Sequence, residues 1–210
     1  MTERESPYDA ADIQVLQFDA GVRQRMGMYF GVGRADPRLP ARVLCALACH
    51  TLHPATKVAA EHTLQTVVEI TDDLSLTMVT DQPHAWDGSG APAQGYFDSL
   101  LGPEWWLLAA AAALSDRVTV EMWSAGRGFG QDLVGIRPFS DPRVFDSPGG
   151  SGTKVALAFD PTHVGPDFVL PTDLENLDVH GPHCSAPTGS GYVLFRDLRH
   201  GSAGREVMHR

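Results

Sequence analysis

Imidazole, carboxylate and indole groups recur in this chain at spacings that could support chemistry. His50 and His53 lie three residues apart on a predicted helix and share a face with Ala46. Asp81 and His84 follow a predicted strand, and Glu104 immediately precedes the pair Trp105-Trp106. Histidine titrates near neutrality and suits proton transfer, and a carboxylate beside it could complete an acid/base pair. The bland alternative is a set of buried imidazoles with satisfied hydrogen bonds.

Cysteine adds a second pattern. Cys45, Cys49 and His53 recur every four residues on one helical face, and His180, His183 and Cys184 form a further cluster. Such residues invite a zinc site, but the spacing matches neither a finger nor a ribbon, and small cysteines on helices commonly fill cores. The expectation is therefore no metal and no cofactor. Asp72-Asp73 reads as a hairpin turn rather than a carboxylate pair. The glycine-rich GRGFG (residues 126 to 130) has no helix after it, which a phosphate loop would need. No serine carries a nucleophile signature.

The elements that must position these groups follow from periodicity. Helices are predicted at Ile13 to Arg23, at Ala41 to Leu52 and over Leu108 to Ser115, where a run of alanines permits close packing. Two hairpins are predicted, one turning at Asp72-Asp73 and one near Ala125-Gly126. Residues 25 to 33 read as glycine-punctuated turns, and residues 82 to 98, 138 to 152 and 163 to 190 as loops. Residues 153 to 160 and 191 to 198 read as strands. Helix, hairpin, helix and further strands predict an α+β sandwich with a mostly antiparallel sheet covered by helices on one face. The expected layout is an arm over residues 1–12, a single domain over 13–203 and a tail over 204–210.

Composition bounds the partners. Net charge is −10, and the only lysines are Lys57 and Lys154, which disfavours contact with nucleic acid. The apolar run Trp105 to Leu114 is too short to cross a bilayer. The first residues carry no signal-peptide pattern, and three cysteines argue against a disulfide framework. The expected location is the cytoplasm, away from membranes.

Residues 8 to 33, YDAADIQVLQFDAGVRQRMGMYFGVG, resemble the start of the ATPase domain of the gyrase-B family, the ATP-hydrolysing component of DNA gyrase, with a Tyr-Asp arm and a signature similar to A-V-R-x-R-P-G-M-Y-I-G. ALSDRVTVEMWSAGRGFGQDL resembles that family's A-L-S-E-x-L-x-V-x-x-W segment, and GGSGTKVALAFDP resembles its T-G-T-x-V strand. The resemblance covers most of residues 8 to 201. It implies the GHKL (Bergerat-type) two-layer sandwich and a nucleotide pocket lined by the first long helix, the turn after Asp81 and the segment before the alanine helix.

The resemblance also implies that ATP hydrolysis is lost. Ala46 stands where the family has its general-base Glu, and His50 where it has a magnesium-holding Asn; alanine accepts no proton and magnesium prefers oxygen. The D-x-G-x-G turn reads Asp81-Gln82-Pro83-His84-Ala85, with both glycines replaced. The glycine-rich lid reads Leu101-Gly102-Pro103-Glu104-Trp105-Trp106-Leu107. By resemblance Asp81 and Thr153 keep the positions that recognise an adenine edge, and Tyr8 and Ile13 match arm positions that reach across a homodimer.

Three functions compete. The first is a module that binds a small planar or aromatic molecule in the remodelled pocket, with Ala46, Asp81, His84, Trp105, Trp106, Thr153 and Tyr8 as candidate contacts. The second is a repurposed enzyme, for example in secondary metabolism, with His50, His53, Asp81 or Glu104 as acid or base. The third is a regulator that pairs with a true gyrase subunit.

Overall fold

Alternation along the strands builds a single sheet with one buried face. In a computed structural model, residues 16–147, 149–181, 184, 188–200 and 204–210 are described. Strands β1 (Gln65–Asp72), β2 (Ser75–Thr80), β3 (Ser115–Ser124), β4 (Arg127–Val134), β5 (Arg137–Pro138), β6 (Arg143–Asp146), β7 (Gly152–Phe159), β8 (Tyr192–Asp197) and β9 (Arg205–His209) form it. Their order is β5-β4-β3-β7-β2-β1-β8-β9, with β6 also paired to β4. Every pairing is antiparallel except β1 with β8.

Val68 and Ile70 on β1, Leu76 and Met78 on β2, Val118, Val120 and Met122 on β3, and Val155 and Leu157 on β7 point into the core, as a two-residue period requires. The opposite face is half-exposed and carries ion pairs, such as Lys154 with Glu121 at 3.5 Å and Arg196 with Glu69 at 3.3 Å.

Helices cover the apolar face. They are α1 (Phe18–Gln24), α2 (Met26–Phe30), α3 (Leu39–Leu52), α4 (Trp106–Ala113) and the short α5 (Pro161–Val164). In α4, Ala109 through Ala113 are fully buried. Side chains this small let α4 lie close to the sheet while it packs against α1 and α3. None of the helices among the described residues is long and apolar enough to cross a membrane.

Several local expectations change. The segment 26 to 30, read as a turn, forms α2, which Gly31 ends in a left-handed conformation (φ 74°). Of the helix expected over Ile13 to Arg23, Leu16 and Gln17 are not helical and α1 starts at Phe18, while Ile13 lies outside the described residues. The loop over 138 to 152 contains β6, and residues 205–209, expected as a tail, form edge strand β9 against β8. The second hairpin turns where expected, through Ala125 (φ 50°) and Gly126 (φ 84°), the paired left-handed residues that suit a two-residue hairpin.

Because Ala111 sits fully buried in the close α4 contact, Ala111→Leu overpacks it. The expected outcome is a loss of about 1–3 kcal/mol, read as a lower denaturation midpoint with an unchanged slope. An unchanged midpoint contradicts the close packing.

Candidate functional site

The elements that position the site meet around one cleft. Its walls come from the α3–β1 connection (Lys57 and Val58), the chain leaving β2, the segment entering α4, and β3 and β7. Parity along β2 decides what faces it. Leu76, Met78 and Thr80 point into the core, so Gln82, two residues on, keeps the same face and Asp81 takes the other. Gln82 is buried and lines the cleft. Asp81 is exposed: its carboxylate accepts the Gln65 N–H at 2.8 Å, and its own N–H donates to the Gln65 carbonyl at 3.2 Å. Asp81 therefore closes the end of the first hairpin. Thr153, opposite Thr80 on β7, lines the cleft and donates its hydroxyl to the Gln82 carbonyl at 3.1 Å.

A second set of contacts fixes the inner wall. His50 on α3 donates Nε2–H to Gln82 Oε1 at 3.0 Å. Its ring stacks on Trp105 with centroids 4.8 Å apart and planes 17° apart. Burial pushes the His50 pKa down to about 4, against a smaller opposing effect of the Gln82 hydrogen bond, so the ring is neutral at physiological pH. His50 itself is absent from the cleft wall; its partners Gln82 and Trp105 form it. Ala46, one turn earlier, is half-buried against the core and also lies off the wall.

The adjacent tryptophans diverge. Trp105 ends a 3-10 turn (Pro103–Trp105) and is only 5% exposed, whereas Trp106 opens α4 with 44% exposure. Consecutive helical residues do not share a face, and Trp106 packs on Tyr29 at 5.9 Å, away from the cleft. Trp105 Nε1–H is buried without a hydrogen-bond partner. A buried unpaired donor costs about 1–3 kcal/mol, so the packing of Trp105 carries a polar cost.

The outer rim is charged. Glu104 pairs with Lys57 at 2.9 Å, and that hydrogen bond holds its carboxyl below the usual range. Gly102 makes room for this carboxylate, since a Cβ there would lie 3.3 Å from Glu104 Oε2. His84 lines the cleft and donates Nε2–H to the Ala93 carbonyl at 3.0 Å; burial lowers its pKa. Its remaining ring nitrogen is then an acceptor beside an anion.

Of the residues singled out in the sequence, the structure gathers His84, Glu104, Trp105 and Thr153 at the cleft, with His50 behind them. His53 belongs to a separate cluster, Asp81 and Trp106 face elsewhere, and Tyr8 lies outside the described residues. The four proposed acid/base groups do not converge. Gln82 and Lys57 were missed: the β2 alternation signals the first, whereas nothing local signals the 47-residue separation between Lys57 and Glu104.

The cleft volume is about 220 Å³. That is below the roughly 300–1,000 Å³ of drug-sized sites and above a ~150 Å³ cavity that admits benzene. Its size is that of a one- or two-ring molecule.

The neutral His50 has a stability consequence. Its folded pKa of about 4 lies below the ordinary 6.5, so the unfolded chain protonates first as pH falls. Stability is complete above about pH 6.5 and declines toward pH 4, on the order of 3 kcal/mol from this group. His84, shifted the same way, adds to the slope. Denaturant midpoints at about pH 7.5 and about pH 5 are expected to differ less in His50→Gln than in the parent. Equal differences would contradict the buried neutral ring.

No protein-family model matches the chain, and no curated protein matches it.

Proposed function

We propose that this chain is a gyrase-B-like domain of the GHKL type whose remodelled nucleotide cleft binds a small planar molecule and does not hydrolyse ATP. The observation that carries this reading is Trp105, a buried indole on the cleft wall whose Nε1–H has no partner. Nε1 itself is covered, so a planar heterocycle with a ring nitrogen or carbonyl acceptor would satisfy that donor as the wall shifts to admit it. Valines 120 and 155 supply apolar contact, and the cleft volume suits one or two rings.

Support for the ancestry is the convergence of the elements that the resemblance names. Helix α3, the chain after β2, the segment before α4 and Thr153 all meet at one place. The loss of ATP chemistry is supported by what stands there. Alanine occupies the general-base position, Trp105 is packed on His50, and anionic Glu104 lines the rim where phosphates would lie.

A second reading, acid/base catalysis, has one specific observation behind it: neutral His84 and anionic Glu104 line the same cleft. Each is tied to another group, His84 to Ala93 and Glu104 to Lys57, which favours holding over turnover.

A thermal-shift panel tests the proposal. Planar acceptor-bearing heterocycles such as adenine are expected to stabilise the protein more than ATP with magnesium, without phosphate release. Stabilisation by magnesium–ATP with phosphate release would overturn it. Trp105→Phe, which keeps the ring stack and removes the N–H, is expected to raise Kd about fivefold, the worth of one hydrogen bond.

A further inference from the structure

Where α3 ends, three histidines and a cysteine come together outside the cleft. His53 caps α3 and donates its N–H to the Cys49 carbonyl at 2.7 Å. The connection returns through His62, whose backbone is left-handed (φ 55°), a conformation that non-glycine residues hold mainly where function or surroundings require it. Its N–H donates to the Leu52 carbonyl at 2.9 Å and its carbonyl accepts from Gly191 at 2.6 Å. Gly189 and Gly191 permit this approach, since a Cβ on either would fall within 3 Å of His62 backbone atoms. The fold thus clamps His62 in place with its side chain 4% exposed.

The side chains converge. His53, His62 and Cys184 each bring a donor atom, and all three atoms lie within 4.8 Å of one another. Cys184 Sγ is 3.7 Å from His62 Nε2, and His53 Nε2 is 3.3 Å from His180 Nδ1. Tetrahedral zinc, with bonds of about 2.05 Å to nitrogen and 2.3 Å to sulfur, sets its ligands about 3.3–3.6 Å apart. His62 Nδ1 is buried with no hydrogen-bond partner.

The outer hydrogen bonds orient the donors. Glu61 accepts from His53 Nδ1 at 3.0 Å, and the Arg210 backbone oxygen accepts from His180 Nε2. These anchors leave His53 Nε2 and His180 Nδ1 facing each other at a separation close to that of two ligands on tetrahedral zinc. The Glu61–His53 contact is the carboxylate–histidine pairing found behind metal ligands.

We propose that His53, His62 and Cys184 bind a zinc-class divalent ion, with His180 flanking the fourth coordination position and Glu61 orienting His53. Thiolate with imidazole selects a borderline-soft ion over magnesium or calcium. Binding releases the Cys184 thiol proton to solvent. The site staples residues 53 and 62, the two ends of the loop whose middle residues Lys57 and Val58 wall the cleft. This proposal is independent of what the cleft binds.

Cobalt(II) titration of the reduced full chain tests it, read as a sulfur-to-cobalt charge-transfer band, with metal content measured after zinc loading. The expected results are about one ion per chain and a band that Cys184→Ser abolishes and Cys49→Ser retains. His53→Gln is expected to weaken binding by at least about 100-fold, and Glu61→Gln by about 10-fold. Circular dichroism in the absence of metal confirms that each variant is folded. A folded parent without the band, a band surviving Cys184→Ser, or a Cys49–Cys184 disulfide in the non-reduced protein found by mass spectrometry would overturn the proposal.

Discussion

His50 stacks on Trp105 and hydrogen-bonds Gln82, and those contacts join α3, the chain leaving β2 and the segment entering α4. The contact works because the imidazole is neutral: burial removes its charge and lets it lie flat against an indole while donating one N–H to an amide. The cleft follows from that contact. With Trp105 held inward, its wall is flat and aromatic, and the volume left over suits a ring rather than a nucleotide. The same packing leaves Trp105 Nε1–H buried without a partner.

Much of the fold was legible because period-two alternation is strong in the central strands. The second hairpin turn and the strands at residues 152–159 and 192–197 follow from it. The first hairpin turns one residue later than expected, at Asp73-Leu74, and α4 was legible from its run of alanines. Strand β9 was hidden because the five-residue REVMH is short and half-exposed and gains its partner only from β8. Helix α2 was hidden because Gly27 and Gly31 look like turn residues, although Gly31 serves as the helix stop.

The site was less legible, and the residues show why. Asp81 drew attention as a carboxylate after a strand, yet the alternation through Met78 and Thr80 directs Gln82 inward instead. His50 and His53 share a helical turn in sequence, but α3 ends between them: His50 turns to Trp105 and His53 to His62 and His180. The cysteine pattern divided in the same way. Cys45 is buried in the core, whereas Cys184 joins His62, a residue with no sequence signal of its own. His183 lies outside the described residues. One connection, residues 53 to 62, links both sites, since its ends carry the histidine cluster and its middle walls the cleft.

We propose that Trp105 Nε1–H meets a hydrogen-bond acceptor when a ligand enters the cleft. The direct measurement is the indole Nε1–H resonance of Trp105, assigned by its loss in Trp105→Phe and followed by nitrogen-15 NMR during titration with planar acceptor-bearing heterocycles. The expected result is a saturable downfield shift and slower solvent exchange at that proton, with little response at Trp106. A Trp105 resonance that stays fixed while these ligands bind would contradict the account.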